Sequence, residues 1–246
     1  MTGRRRLRVD KSSTLLVLES RHHPYDSHDS HDFPLMSSSN DGTIAASTDR
    51  EYDAYSRTID PAKTALIVMH YQTDILALFP SVAPTLLSHT RALCDAARAS
   101  GVAVYFVKFH FSEGYPEVSP MNRNGQGVKR LGLFVHDKIS PELGRRADEP
   151  CVVAHRASAF FGTDLQAQLA QRGIDTLIMA GIASTGVMLS SVAYASDADY
   201  RLFTVKDCCY DPDPVVHDRL FATAFDSRTT VLSLSDALPL LERRST

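Results

Sequence analysis

An apolar run, ALIVM, ends in three polar residues spaced by two: His70, Gln72 and Asp74. An imidazole with its ordinary value near neutrality can give or take a proton at physiological pH, so His70 is a candidate for proton transfer. The alternative is a hydrogen-bonded histidine that seals the end of a strand. Gln72 offers a donor and an acceptor for orienting a substrate carbonyl or carboxylate, and Asp74 suits either catalysis or fixing the following loop. A second group follows another apolar run: His110, then Tyr115, Glu117 and Asn122 on a loop. Glu117 is a candidate carboxylate acid or base, or else a solvated loop charge. A third group is His155, Arg156, Ser158 and Phe160. In an extended segment, His155 and Arg156 point to opposite sides, and the planar fork of Arg156 suits a bidentate grip on a carboxylate or a structural ion pair. Finally, GIASTG opens a helix. Backbone N–H groups near Gly186 and Val187 are placed to stabilise a developing negative oxygen. Ser184 and Thr185 read first as caps, because a hydroxyl nucleophile needs an adjacent base.

The elements that must position these groups are legible from Thr64 onward. Buried-strand runs alternate with amphipathic stretches: TALIVMH, a helix near 81–100, VAVYFVKF, DTLIMAG, a helix near 186–198, and YRLFTVKD. A helix from about 213 to 225, the short strand TTVLSL and the segment SDALPLLER follow, and Cys151 opens a further strand. This pattern predicts an α/β fold, a doubly wound, Rossmann-like and mostly parallel sheet with helices on both faces. Ligands in such sheets bind beyond the carboxyl ends of the strands, where all the candidate groups fall.

The chain has 246 residues and a formal net charge of −3, enough for one sizeable core and without the positive charge that grips nucleic acid. No apolar run reaches the ~20 residues that cross a bilayer, so no membrane role is expected. RRRLRV followed by TLLVLES lacks the cleavage site of a signal peptide. Cys94, Cys151, Cys208 and Cys209 form no metal-like spacing, and reduced thiols in a cytoplasmic protein fit best. The first stretch, with RHHPYDSHDSHDF and SSSNDGT, has little apolar periodicity. Residues 1–58 are therefore expected to be a flexible extension, its histidines solvated, and residues 59–246 a single domain.

Several motifs in order resemble the isochorismatase-like hydrolase superfamily: ALIVMHYQTDI its first-strand motif, SAFFGTDL its central motif, and AGIASTGVMLSSVAYASDADYRLFTVKDCCYD its glycine, helix, strand and Asp-x-Cys pattern. The resemblance covers roughly residues 60 to 240 and implies the isochorismatase-like hydrolase fold. It also implies a cis peptide at Ile182–Ala183 and homo-oligomers. That superfamily, which includes nicotinamidases and N-carbamoyl amide hydrolases, typically uses an Asp, Lys and Cys triad. This chain has His70, Ala154 and Val187 at those positions, so a thioester mechanism is not available to it. Cys208 and Cys209 match a structural region. The chain also resembles a subgroup with His in the first-strand motif, a Gly-Tyr-Pro-Glu segment (GYPEV here) and a His-Arg pair before Ser-Ala-Phe. The nicotinamidase-type metal site needs an Asp and two histidines after the second strand, and His110 alone does not supply it, so no metal and no cofactor are expected.

The sequence thus points to a small-molecule enzyme working by acid/base chemistry, a hydrolysis or else a lyase or isomerase reaction. His70 would donate a proton, as in those isochorismatases that protonate a vinyl ether. Arg156 and Gln72 would hold a carboxylate or carbonyl, and His155 or Glu117 would position water. The alternative is a ligand-binding pseudoenzyme of the same fold.

Overall fold

Apolar runs without polar alternation need cover on both faces, and here they become a six-stranded sheet in which every pairing is parallel. The computed structural model describes residues 58–136 and 138–242. The extension assigned to residues 1–58 lies outside the described residues, apart from Thr58. In chain order the elements are β1 (Thr64–Met69), α1 (Ala83–Ser100), β2 (Ala103–Phe109), α2 (Arg123–Leu131), β3 (Cys151–Ala154) and α3 (Leu165–Gln171). Then come β4 (Thr176–Gly181), α4 (Leu189–Asp197), β5 (Arg201–Val205), α5 (Pro214–Leu220), β6 (Thr230–Leu232) and α6 (Leu234–Glu242).

The spatial strand order is β3-β2-β1-β4-β5-β6, so the chain winds outward from β1, then restarts beside it at β4. Right-handed crossovers then put successive helices on opposite faces of the two halves. β1 and β4, the central pair, are buried along their whole length. The register aligns Met69 with both Val107 and Gly181, which brings His70, the end of β2 and Ile182 to one level at the switch point. One apolar core of buried side chains runs from Ile59 to Leu241.

Local chemistry sets the element ends. Gly101 ends α1 with a φ of 85°, a left-handed conformation that costs glycine nothing. Asp213 caps α5 by accepting from the N–H groups of Val215 and Val216, and Pro214 fits the first helical turn behind it. Both α4 and α5 adjoin a wide π-type turn, Ser184–Met188 before the one and Phe221–Phe225 after the other.

Candidate active site

His70 follows β1 with a φ of 64°, a left-handed conformation that side chains rarely adopt. Tyr115 and Phe134, two of the three other described non-glycine residues with positive φ, lie on the loops beside it. The His70 ring stacks on Phe109 at 4.1 Å and is 2% exposed. One of its nitrogens bonds the backbone of Ile182, the first residue of the cis peptide Ile182–Ala183. Nε2 is buried without a hydrogen-bond partner. Desolvation outweighs the Ile182 bond, which favours the charged imidazole, and lowers the His70 value to about 3. The near-neutral titration expected of His70 is thereby corrected. The ring is neutral at physiological pH, and its Nε2 stands without a partner.

The first-strand neighbours hold the frame. Gln72 is fully buried, and its amide donates to the Phe109 carbonyl and accepts from the Phe109 N–H. A backbone-mimicking pair of this kind locks the end of β2 to β1. Asp74 accepts from the N–H of Ile75 and of Phe134, fixing the loop that carries Phe134.

Tyr115, Glu117, His155 and Arg156 gather with His110 beyond β2 and β3. His155 Nδ1 lies 2.6 Å from the His110 carbonyl, a bond that requires Nδ1–H and leaves Nε2 as an acceptor in the neutral ring. Arg156 donates to the backbone carbonyls of Glu117 and His155. Hydrogen bonds from the Ser112 hydroxyl and N–H hold the Glu117 carboxyl below its usual range, with a smaller contribution from His155. Glu117 is therefore an ionised carboxylate. Tyr115 is buried against Phe111, and its hydroxyl donates to the Leu133 carbonyl. Asn122 caps α2 through the Gly125 N–H. A row of ring contacts, His70 to Phe109 to Phe111 to His155, links this cluster to His70. β2 separates β1 from β3, and the register sets His155 two residues further along than His70, so their backbones stand about 12 Å apart. No single reacting atom touches both.

The remaining candidates lie toward α4. Ser158 Oγ accepts from the N–H groups of Phe160 and Phe161, and Phe160 is buried in a parallel stack on Tyr194 at 4.9 Å. Val187 is 2% exposed. A Cβ added to Gly181 would stand 3.0 Å from Val187 Cγ1 and 3.2 Å from Met69 Cβ, so glycine is what lets this side chain pack over the end of β4. Gly186 is half-buried in the middle of the turn, and its N–H donates to the Ala183 carbonyl at 3.1 Å.

Two further residues meet this turn that sequence reasoning did not single out. His217 Nδ1 lies 2.8 Å from Ser184 Oγ, and Asp211 accepts from the N–H and hydroxyl of Thr185. The base that a hydroxyl nucleophile would need is thus present beside Ser184, which is buried as His70 is. Burial first and Lys206 second lower the His217 value, so this ring too is neutral. The available signal was the Asp213-Pro214 cap, which places His217 about one turn into α5, beside the strand ends. Among the described residues no group of three or more His, Cys, Asp or Glu is arranged to hold a metal ion.

Six parallel strands in this order, with a cis turn closing β4 over the switch point, define a doubly wound α/β protein of the isochorismatase-like hydrolase fold. The family described as "Isochorismatase domain" matches residues 64–236, and the chain belongs to it. Its relatives include the uncharacterised isochorismatase family protein YwoC of Bacillus subtilis (strain 168), 28% identical over 70% of this chain and 93% of that protein. The ureidoacrylate amidohydrolase RutB of Acinetobacter baylyi is 25% identical over 80% of this chain and 90% of its own. Among solved structures, an isochorismatase family protein from Burkholderia thailandensis superposes with a TM-score of 0.66 at 23% identity, covering 76% of this chain and 99% of that one.

Proposed function

We propose that this chain is a cofactor-independent hydrolase of a small carbonyl- or carboxylate-bearing metabolite, working by acid/base chemistry without a cysteine nucleophile. The observation that carries this reading is the buried, unpartnered Nε2 of His70 at the switch point. A buried ring nitrogen without a partner costs about 1–3 kcal/mol, which a polar group of the substrate recovers by hydrogen-bonding to it. His70 then acts as an orienting group that hydrogen-bonds the substrate through Nε2, rather than as the proton donor that the sequence suggests. The Gly186 N–H donates to the Ala183 carbonyl at 3.1 Å, so the Val187 amide is the one we assign to the developing oxyanion. At the far end of the ligand, Arg156 presents its remaining N–H donors to a carboxylate, while His155 and ionised Glu117 handle water and protons there. That the relative RutB is named an amidohydrolase supports hydrolysis as the reaction class.

A second reading is ligand binding without turnover. It is favoured by buried Val187 and by Ala154, which stand where the superfamily's Cys and Lys belong. A thermal-shift panel of small amides and carboxylates, followed by product analysis on each stabilising compound, separates the two. The expected result is turnover that survives thiol alkylation and falls about 10²-fold or more in His70→Asn, a residue that tolerates the left-handed backbone. Compounds that stabilise the protein and return unchanged would establish the binding reading. Inactivation by alkylation of one cysteine, prevented by substrate, would sink both.

A further inference from the structure

A cleft of about 360 Å³ opens beside the edge strand β3, lined by Lys108, Lys138, Arg145 and Cys151 together with Ile139, Ser140, Pro141 and Gly144. No acidic side chain lines it, in a chain whose net charge is −3. The register pairs Phe106 with Cys151 and Lys108 with Val153, so the pleat puts Lys108, Cys151 and Val153 on one face of β2 and β3. Cys151 forms the floor. The wall is a built one. Ile139 bridges to Gln72, the Ser140 N–H donates to the Tyr71 carbonyl, and buried Arg98 grips Glu149 with two hydrogen bonds of 2.6 and 2.9 Å. Arg145 donates one N–H to the Glu149 carbonyl, which aims its fork without neutralising it.

From this arrangement we infer that the cleft is a binding site for a small, multiply charged anion, a phosphorylated or polycarboxylate metabolite. Three cations converging on a partly enclosed volume hold two or more anionic groups through charge-assisted hydrogen bonds, and no described carboxylate competes for Lys108 or Lys138. The volume lies at the lower end of the range for metabolite sites, beyond what a monoatomic ion needs. Cys151 stands four residues before His155, about 13 Å along the strand, so this site is separate from the one beyond the strand ends. Both Arg145 and Lys108 act on the Cys151 thiol, opposing the burial that raises its value. The thiol therefore reports on occupancy.

Calorimetry on the full chain, with inorganic pyrophosphate and citrate as separate probes, tests the inference. Submillimolar binding of either is the expected result, and which probe binds distinguishes a phosphate from a carboxylate ligand. Lys108→Gln and Lys138→Gln should each weaken binding about tenfold or more. The bound probe should also slow alkylation of Cys151 by a neutral thiol reagent severalfold, beyond what sodium chloride of equal ionic strength does. If Lys108→Gln fails to fold, Lys138→Gln at its exposed position carries the comparison. Absence of binding at millimolar probe, binding indifferent to both lysines, or protection matched by the chloride control would each overturn the site.

Discussion

A buried imidazole that stays neutral down to about 3 has no imidazolium proton to give at physiological pH, and this alone redirects the chemistry at His70. The same burial has a consequence for stability. The unfolded chain binds a proton on His70 below about 6.5, whereas the folded chain resists it down to about 3. The folded state thus binds fewer protons in that window, and its stability falls as pH falls. The contribution is fully present above 6.5 and is lost at up to about 1.4 kcal/mol per pH unit on the way down to about 3. His217, shifted in the same direction, adds to the slope. Urea melts of the parent and of His70→Asn between pH 7 and pH 4 should show a shallower loss of stability in the variant. Parallel pH profiles would mean that His70 accepts a proton in the folded state and that its ring is not sealed.

Among the elements, the turn Ser184–Met188 joins β4 to α4 and is gripped from outside by α5 and the segment before it. Ser184 bonds His217, Thr185 bonds Asp211, and the Ser184 N–H donates to the Tyr210 carbonyl. Replacing Ser184 by Ala leaves His217 half-buried with an unpaired nitrogen, at a cost of about 1–3 kcal/mol. Chemical denaturation should register that loss, while alkylation rates of buried Cys94 stay unchanged in native buffer. A Ser184→Ala variant of parental stability that had lost all turnover would instead make Ser184 a reacting group. The strands around this turn were legible in the sequence because long apolar runs bounded by polar residues leave few alternatives. The cis peptide was legible only through resemblance. α2 and α3 were not singled out: RNGQGVKRL carries two glycines, and its start depends on Asn122 acting as a cap, whereas the sequence presents Asn122 equally well as a binding residue. Gln72 and Tyr115 were read as ligand groups for the same reason. A polar side chain at a strand end suits a substrate or a neighbouring backbone group, and only packing reveals that the Phe109 and Leu133 backbones take them.

At the scale of the molecule, the domain's cohesion rests on residues that begin at Ile59. The core runs from there to Leu241, and the family match spans 64–236. If residues 1–55 add no buried surface to this domain, as their composition suggests, removing them leaves the surface exposed on unfolding unchanged. The slope of stability against denaturant measures that surface directly. The truncated chain should therefore melt in one cooperative step with the parental slope and midpoint, and should elute from a sizing column in the same oligomeric state. A smaller slope with the same oligomeric state would mean that the segment packs on its own domain. A change of state on truncation would mean that it bridges subunits, and either result would remove the boundary that the sequence draws near residue 58.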